Sequence, residues 1–425
     1  MRIANKPASE SAPGTHRPPE RPLFEPPRIR TSEEGERPTA WLEFFFDLVF
    51  VVAIDQLARR LQHGVTGHEA LVYLALYAPV WWAWVGFVLY TDRFGTDDLG
   101  DRLLTLVQIG AVLVIAAAAM QATSDRAPAF AIAYGGFRLI LAARYAMAAH
   151  SVRRARRECT RQSIGFAVAG IIWIASAAVP APWRFWMWAA GLAVDVLTPF
   201  ASPRMHEIVP PDPDHIEERF GTFINISLGE GFVGLVEAIR DQPWSGTLFA
   251  AAALSLLIGF SIWWGFFDTL DQAPIAEVRR RHRTGPYKTW IFAQLPLAAG
   301  VAAAGISVGN LVHDADAPTL ESSLRWLVCG MVALCYVAHA IMHIAYAKAG
   351  AGRQGWMVAA RKLPTIAAAL LLGALGEGLS AVGVAGVLAT AAGAQVLWNI
   401  WERAHADPLD GEDPGQGLAR AQRPA

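Results

Sequence analysis

Long apolar stretches alternate along this chain with short, polar, arginine-bearing segments. A hydrocarbon layer about 30 Å thick takes roughly 20 helical residues to cross. Runs of that kind fall near 42–61, 70–90, 102–121, 128–149, 163–181, 184–200, 219–239, 246–270, 287–310, 323–347, 364–381 and 383–401. They are rich in Ala, Leu and Gly and do not alternate polar with apolar. Backbone in lipid must satisfy its own hydrogen bonds, so the pattern predicts helices and excludes open strands. The expected architecture is an all-α polytopic transmembrane bundle of about twelve spans. The sixth run is short, and the last two share 365–401 with only a Gly-Leu-Ser turn between them, so eleven spans is the alternative.

Charge orients the bundle. With the N-terminus inside, the inner loops carry eighteen Lys and Arg residues, among them Arg153, Arg154, Arg156, Arg157, Arg279, Arg280 and Arg281. The outer loops carry four: Arg126, Arg184, Arg240 and Arg325. The positive-inside rule then places both termini in the cytoplasm. Residues 1–40 hold eight prolines and mixed charges with no apolar core, unlike a signal peptide, and read as a disordered cytoplasmic tail. Residues 402–425 read as a second cytoplasmic tail, leaving 41–401 as the transmembrane domain.

Composition agrees with this division. The chain of 425 residues is 54% hydrophobic and 17% charged, below the roughly 25% usual in soluble domains. A net charge of −1 gives no basis for binding nucleic acid. The three cysteines lack metal-finger spacing, and neither a cofactor nor a metal site is expected. The expected partners are the lipid bilayer, small ions or solutes, and a second copy of the chain.

The two halves, about 41–200 and 215–401, share an order of markers that predicts a parallel six-plus-six repeat. Glu43 is followed twelve residues later by Asp55, and Glu218 by Glu230. Trp81-Trp82 then matches Trp263-Trp264, and Gln108 matches Gln294.

Ionisable groups inside spans are costly and are functional candidates by default. Asp55 and Glu230 lie about 18 Å along their helices from Glu43 and Glu218 at 1.5 Å per residue, which predicts mid-bilayer depth. Arg138 is expected at similar depth, as counter-ion to Asp55. Glu43 and Asp47 share a helix face at i, i+4, although acids at a helix start also favour the dipole. Asp195, Glu237, Asp268 and Glu377 add further acids. Glycines flank Glu230 on both sides, allowing close helix approach or a broken helix. His339 and His343, also four apart, fit a buried hydrogen-bonded pair, with a proton relay next. No nucleophile elbow, phosphate loop, dinucleotide fingerprint or metalloprotease motif is present, so no enzymatic role is predicted.

Trp41-Leu-Glu43-Phe-Phe-Phe-Asp47-Leu-Val-Phe50 resembles the opening signature of the bacterial low-temperature-requirement A family. His215-Ile-Glu217-Glu218-Arg219-Phe220-Gly221, Ile226-Ser-Leu-Gly229-Glu230 and Trp263-Trp264-Gly-Phe-Phe267-Asp268 extend the resemblance over about 38–402. It implies a multi-pass bacterial inner-membrane protein, named for a cold-growth phenotype. Phe266 stands where a tyrosine is expected. Phe45-Phe46-Asp47 is also similar to the Phe-Ser-Asp first-helix motif of endolysosomal voltage-independent potassium channels, which use a duplicated six-helix unit. Phe46 replaces the serine here, so that motif's hydroxyl contacts do not transfer. Together these features predict a transporter- or channel-like protein whose polar pathway runs between the repeats, lined by Glu43, Asp47, Asp55, Glu218 and Glu230. A membrane enzyme acting on lipid or envelope precursors, and a sensor or scaffold, are the alternatives.

Overall fold

The computed structural model describes residues 24–29, 41–62, 66–96, 98–202, 204–268, 273–281 and 283–405. The expected tails, 1–40 and 402–425, lie outside them except for 24–29, which form no regular element, and 402–405, which continue the last helix. The described residues contain fifteen α-helices and no strand. The first six are α1 (Trp41–Ala58), α2 (Gly67–Phe94), α3 (Leu99–Ala118), α4 (Ala127–Ser151), α5 (Arg156–Ser176) and α6 (Trp183–Leu197). A four-residue α7 (Met205–Ile208) leads to α8 (Pro213–Arg240), α9 (Gly246–Phe267) and α10 (Ala273–Arg281). The chain ends with α11 (Gly285–His313), α12 (Ser322–Tyr346), α13 (Gly352–Ala360), α14 (Leu363–Leu375) and α15 (Ala381–His405).

Each apolar run thus forms a helix, and seven helical segments are long and apolar enough to cross a membrane. The chain is an all-α membrane protein. α1 is apolar too, but its Glu43, Asp47 and Asp55 set it apart from those seven. The 13-residue α14 reaches only about 20 Å, less than the ~30 Å hydrocarbon core. The last two runs are separate helices, because the chain breaks at Gly376 and Gly378 takes a left-handed φ of 83°.

Local chemistry sets the helix starts. Side chains of Thr66, Asp98, Asp212 and Ser245 accept from backbone amides of the first turns of α2, α3, α8 and α9. Thr66 and Glu69 occupy capping-box spacing. Proline near the start opens α4, α8, α11 and α14, where its missing N–H costs nothing.

In the first half α1 packs on α2 and α3, α3 on α4, α4 on α5, and α5 on α6. In the second, α8 packs on α9 and α11, α11 on α12, α12 on α14, and α14 on α15. The halves meet where α1 crosses α8 and α2 approaches α11. Tyr73 of α2 donates to the Ala299 carbonyl of α11 at 2.8 Å across that seam. α8 and α11 touch through glycine: a Cβ added to Gly305 would lie 2.5 Å from the Gly231 Cα. One glycine of the Gly229-Glu230-Gly231 pair is therefore a helix-packing residue, as small residues in membrane bundles generally are.

Three short helices, α7, α10 and α13, fall outside the predicted runs. α10, in the basic segment before α11, buries Ile275 and Val278 while exposing Arg280 and Arg281. It is too short for a span, so hydropathy alone leaves it in a loop.

Candidate functional site

The sequence puts two acids on one face of α1, Glu43 and Asp47, and two bases on one face of α8, His215 and Arg219, each pair at i, i+4. Packing α1 against α8 matches them rung by rung. Arg219 donates to Asp47 through Nη2 at 2.6 Å and Nε at 3.2 Å, a two-pronged contact suited to the planar guanidinium. Its Nη1 lies 3.3 Å from Glu43 Oε2. His215 Nε2 is 3.2 Å from the same Glu43 oxygen. On its other side His215 Nδ1 is 3.2 Å from Asp92 of α2. Asp92 also accepts from the Asp212 backbone amide at 3.3 Å.

All five ionisable side chains are buried, with Asp47 and Arg219 wholly inaccessible. Such burial is tolerable only if each charge is paired and hydrogen-bonded. Trp84 supplies a third donor to Asp47 at 2.7 Å. Aromatic rings wall the network. Phe46 stacks on Phe87 at 3.7 Å between centroids, and Phe87 faces both Arg219 and Arg144. The position that departs from the channel motif, Phe46, is therefore part of this wall. A neighbouring pair, half-buried at its acid, extends the polar zone: Arg144 of α4 binds Asp101 of α3 and donates to Thr105 at 2.6 Å.

Further along the same seam, Asp55 of α1 and Glu230 of α8 line one small cavity with Ser227, Ala302 and Ile306. The two acids placed at equivalent positions of the halves are thus brought together. The expected counter-ion is wrong, however. Asp55 pairs with Arg59, one turn on, at 2.7 Å. Arg138 instead pairs with Asp195 of α6 at 2.6 Å, and Tyr134 donates to the same carboxylate at 2.7 Å. The reason is steric. α4 packs on α2, α3 and α5 and sends Tyr134 and Arg138 toward Asp195 of α6, and Gly86 of α2 makes room for the guanidinium. Asp55 also sits three residues from the end of α1, closer to that end than its count from Glu43 predicts.

Other expected site residues separate from this seam. Glu218 is exposed, one position off the face that carries His215 and Arg219. Asp268 caps the end of α9, near Lys362. His339 and His343 lie inside the second half on α12, both buried. The residues that sequence reasoning missed are Arg219, His215, Asp92 and Trp84. Hydropathy leaves Arg219 at the polar edge of its span, among the inner-loop charges, and the i, i+4 match of His215 with Arg219 is the available signal.

A family model described as "Bacterial low temperature requirement A protein (LtrA)" matches residues 39–394, which include every member of the network. A protein of Rhizobium meliloti (strain 1021), described as uncharacterized, is 26% identical over 325 residues, covering 70% of this chain and 76% of the relative. No solved structure matches.

Proposed function

Because the chain belongs to the bacterial low temperature requirement A family, we propose that the α1–α8 seam is the cation or proton pathway of an inner-membrane transporter or channel. The pathway lies between two six-helix halves of one parallel repeat, with twelve spans and both termini in the cytoplasm. The order of helix packing shared by the two halves supports the repeat, although α9 also packs on α15 and α2 makes no comparable contact with α6.

One observation carries the reading: a buried ladder of charges, Glu43–His215 and Asp47–Arg219, bridges the halves where they must part or slide to open a path. Charged groups are expensive in lipid surroundings and concentrate on ion routes. Beyond the ladder the seam continues into the Asp55–Glu230 cavity, which offers two carboxylates to a cation or proton. The ladder acts as a gate, and the cavity as a station behind it.

The test is ion flux into liposomes containing the purified protein, with potassium, sodium and protons measured in turn. Asp47→Asn and Glu230→Gln are expected to change the flux of one cation by at least about tenfold. A wild-type protein that carries none of the three, or two folded variants that carry the ion at the wild-type rate, would refute the assignment.

A further inference from the structure

Outside the charged seam, one face of α12 carries a stripe of four ring side chains: Tyr336, His339, His343 and Tyr346. Their spacing of three, four and three residues keeps them on one side of the helix. All four are buried, His339 completely. Tyr336 meets His339 edge to face at 5.6 Å between centroids, and His343 meets Tyr346 in the same way at 5.7 Å. Tyr346 in turn accepts from Trp290 of α11 at 3.2 Å.

Most of the hydrogen-bonding atoms that this stripe buries lack a protein partner. Among the described residues, both ring nitrogens of His339, Nε2 of His343 and the Tyr336 hydroxyl have no protein partner. Buried polar atoms are normally satisfied, and a histidine kept only for packing would be better replaced by a carbon ring. Gly265 of α9 leaves room at His339: a Cβ there would lie 3.0 Å from its Cε1. The charged group that acts on both histidines is Lys362, at the junction of α13 and α14, with Asp268 of α9 beside it. Groups able to pass protons therefore run along α12 from Tyr346 through His343 and His339 to Tyr336. From Tyr336 to Tyr346 the stripe covers about 15 Å, half of a ~30 Å hydrocarbon core.

We propose that this stripe is a proton-conducting route in the second half of the molecule. It rests on the transport reading above and names the proton as an ion that the protein moves. Each imidazole takes a proton on one ring nitrogen and releases one from the other, then returns by exchange of its tautomer. No net charge stays behind. The tyrosine hydroxyls donate and accept in the same step.

Two measurements test it. In liposomes holding a pH-sensitive dye, with a potassium-diffusion potential as the driving force, the wild type is expected to pass protons. His339→Asn, which keeps a polar side chain but cannot shuttle protons, is expected to slow this by about 100-fold. Proton flux equal to wild type in a folded His339→Asn protein overturns the proposal, as does a wild type impermeable to protons. If Asp47→Asn abolishes flux while His339→Asn does not, the seam survives and the stripe falls. The second measurement needs no transport. Deuterium exchange at the imidazole Cε1–H of His339 and His343 is expected within about tenfold of that at the exposed His313. Protection far beyond that marks two dry core rings and also overturns the proposal.

Discussion

Replacing Asp47 by leucine removes the acceptor of three hydrogen bonds, two from Arg219 and one from Trp84, at a site with no solvent access. Breaking a buried ion pair from one side generally costs about 3–5 kcal/mol, because the remaining charge is stranded. Arg219 keeps Glu43 at 3.3 Å, so Asp47→Leu belongs near the lower end, about 3 kcal/mol. Arg219→Met strands Asp47 with Trp84 alone and weakens the hold on Glu43. It belongs near the upper end, about 5 kcal/mol. The double variant removes both charges and leaves mainly the Trp84 donor unsatisfied, at about 1–2 kcal/mol. The two single losses should therefore exceed the double loss by several kcal/mol. Equilibrium unfolding in mixed micelles of dodecylmaltoside and SDS, followed by far-ultraviolet circular dichroism, measures all three. Losses that add to within about 0.5 kcal/mol would show that the two residues act independently, and the ladder would not hold the halves together.

The glycine contact between α8 and α11 gives a second prediction. Gly305→Ala places a methyl 2.5 Å from the Gly231 Cα, a backbone atom that cannot swing away. The same unfolding titration should show a loss of about 1–3 kcal/mol. Gly136→Ala, with open space around its Cβ, should show no loss. His206 of α7, outside the candidate spans, gives a third. Burial, then Arg93 and Lys288, lower its pKa from 6.5 to about 3. The unfolded chain then binds a proton that the folded chain refuses, so this contribution to stability is complete above pH 6.5 and lost as pH falls toward 3. Thermal denaturation across that window should be less pH-dependent in His206→Gln than in the wild type. An unchanged pH slope would refute the assignment.

Much of the fold was legible because its cause is local. A run such as 70–90 has to form a helix in lipid, whatever surrounds it, and each predicted run did so. What was lost depends on partners. Depth alone pairs Arg138 with Asp55, yet depth does not say which way a helix face points. Asp195, on a helix too short to be prominent by hydropathy, claimed the arginine. Arg219 was hidden because it lies within the first two turns of a helix whose start is polar, so it read as loop charge. Glu43 and Asp47 were recognised as a pair by spacing, and applying the same spacing rule to His215 and Arg219 would have exposed their complement. α10 was missed because its apolar face is one residue in three or four over only 9 residues.

The charge balance of the ladder bears on whether it is a staple or a gate. Glu43, Asp47 and Asp92 bring three carboxylates, while Arg219 brings one permanent positive charge and His215 a conditional one. Arg93, buried at the end of α2, adds its charge beside Asp92. With His215 protonated these acids and bases are equal in number; with it neutral, one negative charge is left over. A staple gains nothing from a member whose charge depends on pH, and a lysine or arginine there would hold the helices at any pH. A histidine between two carboxylates lets one proton decide whether the halves are held by attraction or loosened by excess negative charge. His215→Asn retains an amide donor for the Asp92 carboxylate, leaves Glu43 to Arg219, and fixes the unbalanced state. In the liposome assay it should remove the pH dependence of cation flux between pH 5 and 8, the range where histidines change charge. A variant that keeps the wild-type pH profile would place the control of the gate elsewhere.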